Sequence, residues 1–532
     1  MGIPSYFSYI VKNHSRLIKK LENHTIPVNN LYLDCNSIIY DVVHNIDFTK
    51  LVDSDVDTII RSVFNKIDEY IFQIKPNNIV YIAFDGVAPV AKLEQQRSRR
   101  FKSLFQNNIS KNIFKNTKPD PWNTTAITPG TLFMKKLNES VTKYYNDTSK
   151  YNIETFILSP SNKYGEGEHK LFEFIRDFPD MHKNKNTVIY GLDADLIMLS
   201  INHLPIANSI YLFRETPHFI KSINPDLEPE ASYIIDIPEL AKIITLDMNN
   251  DKELTTEQEK NRIYDYIFLC FFLGNDFMPH FPSVNIRNGG IDKMLNAYKA
   301  TIGNTNENLT DGKIIYWKNV RKMVQFLANL EEDNMKMETK IRDKRERQDM
   351  PDITPEDKLK KFDAIPQYER ATEKYINPYK ANWQHRYYKS LFDIEIDETR
   401  KKQICTNYLE GLEWTMKYYT TGCADWRWCY NHNYPPLFSD LLHYIPYFDA
   451  EFVKNKPPAP VSELVQLCYV LPKQSLKLLP EKLYEGLVKD HSDWYKTDCD
   501  FVWAYCRYFW ESHVQLPNID IDELEKFVNE NK

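Results

Sequence analysis

Three short apolar runs set the strongest limit on how this chain can fold. Residues 29–36 read NNLYLDCN, residues 77–86 NNIVYIAFDG and residues 186–200 NTVIYGLDADLIMLS. Each holds a block of β-branched and aromatic residues too short for a helix. Each ends at aspartate: Asp34, Asp85, and the pair Asp193 and Asp195. Such blocks alternating with helical stretches predict an α/β fold with a mainly parallel central sheet flanked by helices. In open sheets of this kind ligands bind outside the carboxyl ends of the strands. Three acidic strand ends are therefore expected to converge on one crevice.

Two further acidic sites follow. In NKYGEGEHKLFEFIRDF, Glu166 and Glu168 open an amphipathic helix; in YDYIFLCFFLGNDFMPHFP an apolar helix stops at Gly274 and Asp276 follows. Glycine beside each acid lets backbone and ligand approach closely. Hard divalent cations prefer such oxygen ligands, and two ions roughly 4 Å apart serve phosphoryl displacement. Gathered carboxylates without cations between them resist ionisation. Asp34, Asp85, Glu166, Glu168, Asp193, Asp195 and Asp276 are thus the candidate catalytic and metal ligands, for two Mg²⁺ with Mn²⁺ as substitute. Any one of them taken alone also suits a helix cap or an exposed loop. His169 and His280, close by in sequence, read as satisfied structural histidines.

A basic helix adds a second element. In DGVAPVAKLEQQRSRRF, Lys92, Gln96, Arg99 and Arg100 fall at i, i+4, i+7 and i+8, one helical face. Their converging donors suit a terminal phosphate, and only seven residues separate Lys92 from Asp85. A solvated basic face is the plain alternative. Tyr40, Trp426 and Trp428 are candidates for stacking on unpaired bases, with core packing the competing use of each tryptophan.

Composition bounds the rest. A length of 532 residues suggests two or three domains, and 42% hydrophobic with 27% charged residues indicates a globular chain. Net charge −7 and pI near 6.1 exclude coating of nucleic acid by overall charge, so any such contact needs a local basic patch. The eight cysteines contain no CxxC pair and read as reduced intracellular thiols without structural zinc. The N-terminus is too polar for a signal peptide, and Tyr6 argues against myristoylation of Gly2. No apolar stretch nears the ~18 residues of a membrane span. The pattern divides at about 1–290, 291–370 and 371–532. The middle piece, LEEDNMKMETKIRDKRERQDMPDITPEDKLKKF, is densely charged and reads as a linker or projecting helical insertion, its RDKRER run a solvated face. The last piece is aromatic-rich and helical.

These motifs, in this order, resemble the XRN family of 5′→3′ exoribonucleases. The stretches MGIPSYFSYI, LYLDCNSIIY, IAFDGVAPVAKLEQQRSRRFKS, ITPGTLFM, GEGEHK, YGLDADLIMLS and FFLGNDFMPHFPSV carry the likeness, with EGLEWTMKYYTTGCADWRWCYNHNYPPLFSDL and ELVQLCYVLPKQSLKLLP further on. The resemblance implies a sheet like that of PIN and flap nucleases, completed by the second region. It makes the seven acids the metal set and Lys92, Gln96, Arg99 and Arg100 a pocket for a 5′-monophosphate. The implied substrate is single-stranded RNA, degraded processively to nucleoside 5′-monophosphates, with duplexes excluded or unwound at a narrow entrance formed partly by the N-terminal helix. Members usually carry His at the position of Tyr40 and Arg at that of Val90. The chain lacks the family's additional C-terminal domains and its nuclear Cys-rich knuckle, which points to a monomeric, cytoplasmic catalytic core. A flap endonuclease-like DNA nuclease and a non-catalytic RNA-binding scaffold are the alternatives.

Overall fold

A computed structural model describes residues 3, 5–48, 55–115 and 122–532. Seven strands form one sheet: β1 (Ile18–Lys20), β2 (Asn30–Asp34), β3 (Ile79–Ala83), β4 (Thr155–Ser159), β5 (Thr187–Tyr190), β6 (Ile210–Glu215) and β7 (Ser232–Asp236). Their order is β1-β7-β6-β5-β2-β3-β4. The five strands from β6 to β4 are parallel, while β7 and β1 add an antiparallel edge. The three acid-ended runs are β2, β3 and β5, which lie side by side at the centre. All of their residues are buried, which explains their continuous rather than alternating apolar character.

Side-chain alternation divides that sheet between two cores. Leu31, Leu33, Val80 and Ile82 point to one face. That face is covered by α2 (Asn36–Asn45), α3 (Asp55–Ile74) and, beyond α4 (Val90–Phe114), by α5 (Leu132–Tyr144). Tyr32, Tyr81, Ala83 and Ile189 point to the other. There α1 (Tyr6–Asn13), α6 (Gly167–Asp177), α7 (Asp195–His203), α8 (Ile237–Met248) and α9 (Thr256–Cys270) pack.

The densely charged middle piece departs from expectation. It contains α10 (Gly290–Thr301) and the 30-residue α11 (Trp317–Glu346), neither of which projects. Trp317, Val320, Met323, Val324 and Leu327 enter the main core. The same stripe continues through Glu331, Met335, Glu338 and Arg342, all buried. Glu331 accepts the Phe438 and Ser439 amides at 2.7 and 3.1 Å. Arg342 donates to both carboxylate oxygens of Glu373 at 2.7 and 2.8 Å. In the RDKRER run, Asp343 and Glu346 pair with Arg370. Along this stripe the helix is buried and charged, with distant partners neutralising its charges, whereas Lys344 and Arg347 of the RDKRER run are exposed.

Beyond α12 (Pro355–Asp363) the chain is helical: α13 (Ala371–Ile376), α14 (Trp383–Phe392), α15 (Glu398–Thr420), α16 (Phe438–Tyr444), α17 (Glu463–Val470), α18 (Glu481–Asp490) and α19 (Ile521–Glu530). A two-stranded ribbon, β8 (Phe501–Val502) with β9 (His513–Val514), is the exception. One apolar cluster runs from Ile3 to Val453, so α15 and the sheet share a core. No helix among the described residues is long and apolar enough to cross a membrane. All eight cysteines are unpaired thiols.

Candidate active site

The acids gather where the strands end. Asp34 closes β2, Asp85 lies two residues beyond β3, and Asp193 three beyond β5. Glu166 directly precedes α6, Glu168 sits in its first turn, and Asp195 opens α7. Asp276 follows Gly274, whose φ of +85° and close approach to His280 exclude a side chain. Gly167 is equally constrained, since a Cβ there would lie 2.7 Å from Asp34 Oδ1 and 3.2 Å from Asp85 Oδ1. Instead its amide donates to Asp85 Oδ1 at 2.6 Å, with the positive end of α6 behind it.

Lys92 sits among these carboxylates. Its Nζ lies 2.6 Å from Glu166 Oε2 and 2.8 Å from Asp276 Oδ2. Burial works against this ammonium, but Asp276 and Glu166 outweigh it and raise its pKa well above the ordinary lysine range. The second region supplies two more contacts from the end of α15. Tyr418 donates to Glu166 Oε1 at 2.8 Å and Tyr419 to Asp195 Oδ1 at 2.7 Å. Sequence reasoning does not single out either tyrosine. The one signal for them is a pair of consecutive tyrosines on a helix carrying Glu413 and Lys417, within a stretch that resembles the family.

The cluster is short of positive charge. Burial, then Asp85 and Asp193, push Asp34 well above the usual carboxylate range. Glu168 is raised mainly by burial, and Asp195 is raised to about 7 by burial and then Asp276. Asp276 is held below its ordinary value because Lys92 overcomes the effect of burial. Asp34 Oδ1 and Glu168 Oε2 are buried without a hydrogen-bond partner among the described residues. Among the described residues no three His, Cys, Asp or Glu side chains are grouped closely enough to hold a metal ion as they stand. The donor chemistry nevertheless fits hard divalent cations: every ligand is oxygen, and orphaned carboxylate oxygens are what such ions bind.

Asp34, Asp85, Glu166, Glu168 and Asp193 line a cavity of about 790 Å³ that opens to solvent. Lys92, Gln96, Arg99 and Arg100 line it too, as does Tyr40, which is 40% exposed. The one-face reading of the basic helix therefore places all four on the acid site. Their roles divide, however, because Lys92 is taken up by carboxylates. Arg100 donates from Nη2 to Thr128 Oγ1 at 2.6 Å, while its Nη1 and the Gln96 Oε1 are buried without partners among the described residues. Burial pushes the Arg100 pKa down to about 10, which marks a cation lacking an anion.

The two tryptophans do not join this cavity. Trp426 is 7% exposed and meets Tyr164 edge-on, with ring centroids 5.2 Å apart. Trp428 stacks on Trp414 at 5.1 Å and crowds Gly411. Both rings pack against other aromatic side chains, the use that large apolar rings have by default, and Trp428 is half-buried. His169 is buried and His280 half-buried, and each has one ring nitrogen without a partner among the described residues, so neither is fully satisfied.

Comparison with known proteins adds the following. A family model described as the XRN 5′-3′ exonuclease N-terminus matches residues 1–216. A second, described as the Xrn1 helical domain, matches residues 257–376 and 353–531. The chain is 28% identical to 5′-3′ exoribonuclease 1 of Saccharomyces cerevisiae, over 98% of its own length and 43% of that protein's. It is 28% identical to a 5′-3′ exoribonuclease 2 homolog of Drosophila melanogaster, over 99% of its own length and 70% of the relative's. The human 5′-3′ exoribonuclease 1 is 28% identical across 98% of this chain and 34% of its own length. The chain thus spans between about a third and 70% of these relatives.

Proposed function

We propose that this chain, which belongs to the XRN family of 5′-3′ exonucleases, degrades single-stranded RNA from a 5′-monophosphate end, releasing nucleoside 5′-monophosphates processively. One observation carries the reading. Arg100, a half-buried arginine whose Nη1 is buried without a hydrogen-bond partner among the described residues, opens onto the same cavity as Asp34, Asp85, Glu166, Glu168 and Asp193.

In this reading Gln96, Arg99 and Arg100 hold the terminal phosphate, which sets the first phosphodiester over the acids. Tyr40 offers an aromatic face to a leading base. Tyr418 and Tyr419 fix Glu166 and Asp195 by hydrogen bonds to one oxygen of each. Lys92 offsets two of the charges that would otherwise keep the carboxylates apart. Asp34, Asp85, Glu166, Glu168, Asp193, Asp195 and Asp276 would hold two divalent cations, Mg²⁺ by ligand type, with Mn²⁺ as substitute. When bound, such a pair supplies an activated water and stabilises the departing 3′-oxygen.

The test uses four labelled RNAs bearing 5′-monophosphate, triphosphate, cap or hydroxyl, each with Mg²⁺ and with EDTA. Mononucleotide release from the monophosphate alone, lost in EDTA, is expected. Oligonucleotide products, or preferential cutting of a DNA flap, would favour the endonuclease alternative; metal-independent binding without release would favour the scaffold. Asp193→Asn and Asp195→Asn should each reduce turnover by roughly three orders of magnitude while RNA remains bound.

A further inference from the structure

Arg214 is a buried cation in the same cavity, and the exonuclease reading leaves it without a task. It stands near the end of β6, one residue past the paired row Leu33–Tyr190–Phe213. That register puts it on the same sheet face as Asp34, two interstrand spacings away, or about 10 Å. Its guanidinium lies 3.7 Å over the Phe7 ring of α1, which fixes its plane. Among the described residues its one hydrogen bond is long, 3.4 Å from Nε to the Glu215 carbonyl. Burial lowers its pKa to about 10, against the pull of Asp193, so it too is a cation short of anionic contact.

The order of the sheet gives this cation a direction. The phosphate cradle stands on α4, which follows β3; then come Asp34 on β2, Asp193 after β5, and Arg214 on β6. An RNA held by its 5′ phosphate at the β3 side, with its first link over the acids, runs on toward β6. We propose that Arg214 grips the next phosphodiester, on the 3′ side of the scissile one, so that the second link is read as well as the free end. This rests on the exonuclease reading and adds a contact to it. Arg214 also lies near Asp193, so a role confined to holding that carboxylate is the competing explanation.

The two are separated by a charge cycle. Full-length protein is assayed on 5′-monophosphorylated RNA and on the same RNA with a neutral methylphosphonate at the second linkage. The native protein should cleave the modified RNA about 10- to 100-fold more slowly, the range of a charge-assisted hydrogen bond. R214A should slow on unmodified RNA by a similar factor and no longer distinguish the two substrates. R214K, which keeps the charge without the planar stack, should recover part of both the rate and the discrimination; if R214A does not fold, the same comparison is read from R214K. An R214A protein that still discriminates fully overturns the inference and leaves Arg214 a support for Asp193. Native protein that cleaves but ignores the second-link charge also overturns it, alone. Native protein that releases nothing from unmodified RNA overturns the exonuclease reading, and this inference with it.

Discussion

The hydroxyl of Tyr419 donates to Asp195 Oδ1 at 2.7 Å, joining residues 224 positions apart. Tyr418, its neighbour, does the same for Glu166. The helical region therefore touches the acid cluster directly, and α15 ends inside the site rather than merely covering it.

Removing these hydroxyls tests that contact. A hydrogen bond to a charged group contributes about 1.5–3 kcal/mol. Tyr419→Phe should lower kcat roughly tenfold with KM little altered, because the change strikes a carboxylate and leaves the phosphate cradle intact. Single-turnover kinetics would check it. An unchanged rate would mean that Asp195 is held by its backbone and its other neighbours alone.

The basic face makes a separate prediction. Replacing Arg99 and Arg100 with alanine removes the two cationic donors left after Lys92 is engaged by carboxylates, with the Gln96 amide remaining. Preference for 5′-phosphate over 5′-hydroxyl RNA should fall by about 100-fold, seen mainly in KM. Competition between the two RNAs measures this directly. Undiminished preference in the double variant would move the terminal phosphate elsewhere.

The charged helix α11 yields a stability prediction. Glu331 accepts two amides at the start of α16 from a fully buried position, and burial raises its pKa to about 7 despite those bonds. Glu331→Ala orphans both donors and should cost about 3 kcal/mol in urea unfolding. Lys340→Ala, on the exposed side of the same helix, should cost nothing measurable. Equal, small effects would restore the solvated-helix view of this segment.

The contribution of His203 to stability should fall on mild acidification, opposite in sign to that of the buried carboxylates whose pKa is raised. His203 is buried with Nδ1 against the Leu199 carbonyl and Nε2 3.1 Å from the Arg176 guanidinium. Burial and Arg176 push its pKa down to about 3 from an ordinary 6.5. The unfolded chain therefore binds the proton first, and stability drops as pH falls below about 6.5, by up to about 1.4 kcal/mol per pH unit from this residue. His203→Asn should flatten the slope of unfolding free energy between about pH 6.5 and 5. An identical slope would exclude this histidine as a contributor.

Features written in contiguous residues are legible in the amino-acid sequence. The strands at Asp34, Asp85 and Asp193, the glycines beside Glu166 and Asp276, and the four-residue face of α4 each follow from local period and backbone sterics. Charge pairing between remote segments is not legible there. Lys92 reads as a phosphate ligand from its spacing, yet Glu166 and Asp276 claim its ammonium. Glu331 and Arg342 read as solvated, yet their partners arrive from α16 and α13. Trp426 and Trp428 read as stacking platforms because an aromatic residue looks the same in sequence whether its face meets a base or another ring.

By itself, the sequence determined the acid-tipped parallel sheet and the basic face beside it, since backbone geometry repeats every two or every 3.6 residues and depends on near neighbours. Only the tertiary structure decided which charges answer one another and which rings are covered. Those outcomes depend on desolvation and on distances between atoms hundreds of residues apart, and no local pattern encodes them.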